Sequence, residues 1–249
     1  MSAVQARGLG IATGARWLGL LAGLAATSWL ISTDDLALAL LLSGPLVGIA
    51  LLGGVLLGEL ARPGPERGPA RRALLETRRI ETYLPSWARM VRWLAVAYLV
   101  LTVFGVWDRP EVDGAGNPAI PTCGDGIGLF EAWLPPAYAI PALTLVLIGL
   151  AGAVGALHQL VRRPRPAGIE VDEDDRARTD AVAAVVAACA VLVGVPLAGL
   201  SLLAAASLAR SCAGPLGQLA AAPLLCLTAV GTAVGCWALW SLLVPRGRA

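Results

Sequence analysis

Six long apolar runs dominate the sequence, at about 17–33, 36–60, 87–107, 136–161, 180–207 and 217–244. A helix needs about 20 apolar residues to cross a bilayer, and in lipid only helices or closed barrels satisfy their own backbone hydrogen bonds. The runs lack the alternation of polar and apolar residues that barrel strands show. The sequence therefore predicts an all-α membrane protein, a six-transmembrane helix bundle that forms one polytopic domain over 1–249.

Arginine is distributed unevenly among the segments between these runs. Residues 61–92 carry eight Arg and 162–178 carry five, with two before the first run and two after the last, so 17 of the 19 fall on one side. Positively charged connections stay in the cytoplasm. We therefore expect a multi-pass plasma-membrane protein with cytoplasmic connections at 61–86 and 162–179, an outer loop at 108–135, and both termini in the cytoplasm.

Tryptophan supports these boundaries, because its amphipathic ring favours the headgroup level of a bilayer. All eight Trp lie near an end of a predicted span: Trp17, Trp29, Trp87, Trp93, Trp107, Trp133, Trp237 and Trp240.

The first cytoplasmic connection has the pattern of an amphipathic helix. Apolar residues recur at helical spacing between Ala70 and Leu84, and Arg occupies much of the remaining surface, which is typical of a helix lying in the headgroup layer. One interpretation is an interfacial lead-in that merely anchors the third span. The other is a contact surface for anionic lipid headgroups or a protein partner, formed by Arg71, Arg72, Arg78 and Arg79.

An acidic run at 170–175 precedes the fifth span. Carboxylates favour a helix N-terminus, and Asp172–Arg176 and Asp174–Arg178 have the spacing of helical ion pairs. A solvated helix start is the simplest interpretation. A contact with the Arg residues at 71–79 is the next, and a divalent-cation site comes last, because the spacing does not match an EF-hand loop.

Two cysteines, Cys123 and Cys212, fall in predicted outer connections, where an oxidising compartment favours a disulfide between them. The other three, Cys189, Cys226 and Cys236, lie within spans and are interpreted as small packing residues.

Small residues four positions apart occur in several spans, for example Gly44 with Gly48 and Gly231 with Gly235, and such pairs let helices approach closely. Pro45 and Pro196 are candidate kinks. Pro223 is expected to separate a short interfacial turn from the sixth span proper.

Catalytic chemistry finds little support in the sequence. His158 is the single His and lies near a span end, and no acidic or basic residue lies at the centre of a predicted span. Membrane enzymes need paired acids, His clusters or a nucleophile with its base. We therefore predict a non-enzyme without cofactor or metal. The Arg-rich stretch lies next to a bilayer and has no fold of its own, so no nucleic-acid partner is predicted either.

The segments ARRALLETRRIETYLP and DEDDRARTDAVAAVVAAC, each leading into a span, resemble those of uncharacterised six-helix integral membrane proteins of high-GC actinobacteria. The resemblance implies a plasma-membrane protein and supplies no activity. Two functions stay open: a non-catalytic interaction or accessory subunit, or a small permease or channel for an uncharged or weakly polar solute, with the second and fifth spans lining the path.

Overall fold

The computed structural model describes residues 3–32, 36–61, 80–107, 136–162, 171–210 and 214–244. Those residues form six α-helices, and a short 3₁₀ helix, Ile80–Thr82, precedes the third of them. The α-helices are α1 Ala3–Ile31, α2 Leu36–Leu60, α3 Ala88–Trp107, α4 Pro136–Arg162, α5 Val171–Arg210 and α6 Gly214–Leu243.

Each of the six helices contains a segment long and apolar enough to cross a membrane, which confirms the predicted all-α architecture and the number of candidate spans. Two helices begin well before their predicted spans, α1 at Ala3 and α5 at Val171. The added residues include many Ala, Arg, Gly and Asp. A helix can contain these residues outside the hydrocarbon core, but they do not form a continuous apolar run. At 40 residues, α5 is about 60 Å long, twice the thickness of a hydrocarbon core.

Helix α6 is continuous through Pro223, so the expectation of a separate interfacial turn before the sixth span is wrong. Proline removes one backbone hydrogen bond, but membrane helices tolerate it when neighbouring groups and small backbone adjustments compensate. Pro45, Pro141 and Pro196 likewise lie inside α2, α4 and α5.

Helix α5 is the central element, because α2, α3, α4 and α6 all pack against it. Of its apolar segment 83% is buried inside the protein, against 11% for α1. Helix α1 packs mainly on α2, at the edge of the bundle. The protein is thus a layer of helices around one core helix, and the outer faces of the other five, with Leu202 and Leu203 of α5, supply the lipid-facing surface.

Close contacts at glycine allow this packing. Gly48 of α2 lies against the backbone of Leu192 in α5, where a Cβ atom would overlap the neighbouring helix. Gly231 of α6 lies against Gly194 of α5, and a Cβ on Gly231 would come within 2.8 Å of the Gly194 carbonyl oxygen. Because lipid provides no hydrophobic drive for helices to associate, such backbone approach is a main source of attraction.

Side-chain contacts bring several helix ends to the same end of the bundle. Arg16 of α1 donates a hydrogen bond to the Leu242 carbonyl oxygen near the end of α6, at 3.3 Å. The rings of Trp87, just before α3, and Trp237 of α6 meet edge to face with centroids 4.9 Å apart. Arg178 of α5 likewise reaches the last turn of α4. We call the end of the bundle that contains Arg16, Trp87, Arg178 and Leu242 the arginine-rich end. Helices α4 and α5 flank one Arg-rich connection there, and α3 follows the other.

The α2–α5 crossing makes a testable prediction. Gly48→Ala should destabilise the protein by about 1–3 kcal/mol, because a methyl group there overpacks the contact with Leu192. Gly53→Ala is the matched control in the same helix, since nothing lies within 4 Å of a Cβ at that position. The measurement is thermal or denaturant unfolding in detergent. Equal stability of the two variants would contradict the close crossing.

Candidate functional site at the arginine-rich end

The most distinctive polar group in the described residues is the buried ion pair between Arg178 and Asp174, one turn apart on α5. Arg178 Nε lies 2.9 Å from Asp174 Oδ2, and the two residues are only 5% and 8% exposed. Charges this buried are costly unless they are paired and hydrogen-bonded. Their location just before the apolar run that begins at Ala181 places the pair where the helix enters the bundle.

The same guanidinium also caps α4. Arg178 Nη1 donates hydrogen bonds to the Leu160 and Val161 carbonyl oxygens, at 2.8 and 3.1 Å. Both carbonyls belong to the last turn of α4, where no helical N–H is available to them and where the helix dipole is negative. A single cation therefore satisfies a carboxylate on its own helix and two backbone acceptors on the neighbouring one, which joins the start of α5 to the end of α4.

The segment before α3 is held at this end as well. Tyr83 donates its hydroxyl hydrogen to Asp175 Oδ1 of α5 at 3.1 Å, and Trp87 packs on Trp237 of α6. The 3₁₀ helix Ile80–Thr82 contacts α4. Residues 80–87, which end the first Arg-rich connection, are thus attached to three helices.

The sequence predicted the Asp174–Arg178 ion pair, but the prediction of a solvated helix start is wrong for these two residues. They are buried because Arg178 lies under the end of α4, a neighbour that sequence spacing does not reveal. Asp172 and Arg176, the other predicted pair, are both exposed, and no ion pair joins them in the described part of the chain.

Several predicted site residues lie outside the described residues. They are the four arginines of the amphipathic stretch and the two cysteines of the proposed disulfide: Arg71, Arg72, Arg78, Arg79, Cys123 and Cys212. The acidic residue Glu170 also falls there. The end of the predicted amphipathic helix is described, and it forms a 3₁₀ helix at Ile80–Thr82 instead of a further α-helical turn.

The described His, Cys, Asp and Glu side chains lie apart from one another or in pairs. No group of three or more His, Cys, Asp or Glu side chains among them is arranged to hold a metal ion. His158 is exposed on α4, and Cys226 and Cys236 are exposed on α6, so these two cysteines do not pack in the core as predicted. Cys189 of α5 is partly buried against the core.

Two polar features lie within the bundle. Ser201 of α5 and Thr228 of α6 share a hydrogen bond of 2.9 Å. Each of the two hydroxyl groups also lies within hydrogen-bond distance of a carbonyl oxygen of its own helix.

Tyr98 of α3 is fully buried, and its hydroxyl has no hydrogen-bond partner among the described residues. The nearby Thr102 hydroxyl donates instead to the Tyr98 carbonyl oxygen. The hydrogen bond between Ser201 and Thr228 stabilises the packing of α5 on α6, whereas the Tyr98 hydroxyl is an unsatisfied polar group within the bundle.

Comparison with known proteins adds no further assignment: no protein-family model matches the chain, and neither a curated protein nor a solved structure matches it significantly.

Replacing Arg178 tests the contribution of this site to stability. Arg178→Gln removes a charged partner of Asp174 and the donor for two α4 carbonyls, so we expect a loss of about 3 kcal/mol in unfolding free energy. Arg176→Gln removes the same charge from an exposed position two residues away and should change stability by less than about 0.5 kcal/mol. Both values come from denaturant unfolding in detergent. Similar losses in the two variants would show that the buried pair has no special role.

Proposed function

We propose that the protein is a non-catalytic integral membrane protein of the plasma membrane, an interaction or accessory subunit that presents its Arg-rich connection to a protein partner. In this proposal both termini and both Arg-rich connections face the cytoplasm, following the excess of Arg on that side. The protein needs no cofactor, metal or nucleic acid for this role, and the lipid bilayer surrounds its helices.

The observation that carries the proposal is the anchoring of residues 80–87 to three helices. Tyr83 is hydrogen-bonded to α5, Trp87 packs on α6, and the 3₁₀ helix contacts α4. Arg78 and Arg79 directly precede Ile80 in the sequence, and Ile80 begins the attached segment. A recognition surface benefits from such attachment, because a segment that is already ordered loses less conformational entropy when a partner binds to it.

We further propose that residues 70–79 form an amphipathic helix in the inner headgroup layer, with Arg71, Arg72, Arg78 and Arg79 available for contact. The helical spacing of the apolar residues in this stretch, with Arg on much of the remaining surface, supports that arrangement. Anionic headgroups would hold the helix near the membrane, and the partner protein would supply acidic side chains.

The alternative, a permease or channel for an uncharged or weakly polar solute, is the weaker proposal. It needs a polar path between α2 and α5. At their crossing Gly48 meets the backbone of Leu192, and Gly44 meets Pro196 so closely that a Cβ would lie 2.6 Å from the proline ring. A path along this interface would require the two helices to separate.

Site-specific photocrosslinking in native membranes tests the proposal. A photoreactive residue in place of Arg72 or Arg79 should capture one defined protein. Asn117 in the outer connection is the matched control position, because in the proposed orientation it lies on the opposite side of the membrane.

The crosslinked bands are identified by mass spectrometry. Recovery of lipid alone at Arg72 and Arg79 would contradict a protein-docking role. Capture of the same protein from Asn117 would contradict either the proposed site or the proposed orientation.

A further inference from the structure

Two arginines lie on the lipid-facing side of α3, at the arginine-rich end. Arg89 and Arg92 are both exposed, and Trp93 beside them is 72% exposed. The opposite side of the same helix is formed by Val91, Leu94 and other buried residues. Because α3 begins at Ala88, both guanidiniums belong to its first turns. They therefore lie at the depth where a spanning helix enters the headgroup layer.

Like the exposed Arg162 and Arg176, these two arginines differ from Arg16 and Arg178, which have polar partners. Arg16 donates to a carbonyl of α6, and Arg178 is buried against Asp174 and α4. For Arg89 and Arg92, no hydrogen bond or ion pair is found in the part of the chain that the structure describes. Two neighbouring cations that have no carboxylate partner among the described residues favour an anionic ligand.

The lipid-facing side continues along α3 as a narrow apolar stripe. Val96, Val100 and Val103 are exposed and follow Trp93 at intervals of three or four residues, so they lie on one line down the helix. Valine is short and has a restricted side-chain rotamer in a helix. The stripe thus offers a smooth surface that begins at the two guanidiniums and runs toward the membrane interior, as an acyl chain does.

We propose that this face of α3 binds an anionic phospholipid, with its phosphate at Arg89 and Arg92 and one acyl chain along the Val96–Val100–Val103 stripe. Charge complementarity selects the lipid: a guanidinium pairs with phosphate oxygens through two parallel hydrogen bonds, and an uncharged headgroup leaves excess positive charge at the site. A second copy of the chain is a poor occupant, because a symmetric contact through this face would bring four guanidiniums together.

The test is lipid selectivity in reconstituted vesicles. The protein is placed in phosphatidylcholine vesicles that contain trace spin-labelled phosphatidylglycerol or spin-labelled phosphatidylcholine with the same acyl chains. The fraction of motionally restricted label gives the preference for the anionic lipid. In the unmodified protein we expect a clear preference for phosphatidylglycerol, which falls as NaCl is raised.

The double variant Arg89→Gln/Arg92→Gln should lower the preference about 25-fold at this site, since each arginine near a phosphate contributes roughly a factor of five. The matched control is Arg162→Gln/Arg176→Gln, which removes two exposed charges from α4 and α5 at the same end of the bundle. The control should keep the preference of the unmodified protein.

Two outcomes overturn the proposal. One is an unchanged preference in Arg89→Gln/Arg92→Gln, and the other is an equal loss in the control, which would indicate a general effect of net charge. Both replaced residues of the test variant are exposed, so it should fold, and its unfolding temperature checks this. If it does not fold, Arg89→Glu is used alone, and a preference that still equals that of the unmodified protein would overturn the proposal.

Discussion

The rest of the fold depends on the burial of one helix by four others. A bilayer provides neither hydrogen-bond partners nor a hydrophobic drive for helices to associate, so a core helix is held by close packing. Between Ala181 and Gly194, α5 has no side chain larger than Leu, and most are Ala or Val. This small cross-section lets α2 and α6 approach to backbone contact at Gly48 and Gly231. The positions of α3 and α4 follow, since both pack on the same central helix.

Polar interactions complement this packing at one end. Three short contacts offset the desolvation cost of burying Arg178. One is to a carboxylate, and two are to carbonyl oxygens at the end of α4 that would otherwise have no hydrogen-bond partner. Tyr83 and Trp87 extend the contacts to the segment before α3, and Arg16 connects α1 to α6. The ends of the helices that flank the Arg-rich connections are therefore joined directly to each other. This is where a recognition surface would be most firmly supported.

Much of this architecture follows from sequence, and the limits are physical. Six spans, the Asp174–Arg178 pair and the close glycine contacts could be predicted, because length, i,i+4 spacing and residue size are local properties. The central place of α5 was not predicted, since lipid-facing and core-facing residues are both apolar and a long apolar run does not distinguish them. The small side chains of residues 181–194 were the available signal. The burial of Arg178 and the continuity of α6 through Pro223 depend on neighbouring helices and had no local signal.

Over residues 181–194, α5 is shielded from lipid by the rest of the protein. Labelling of the unmodified protein in vesicles with a lipid-borne carbene precursor, followed by peptide mapping, measures this directly. We expect strong labelling on the outer faces of α1, α4 and α6, labelling of Leu202 and Leu203 where α5 becomes exposed, and almost none over residues 181–194. Labelling of 181–194 at the level found in α4 would contradict this shielding.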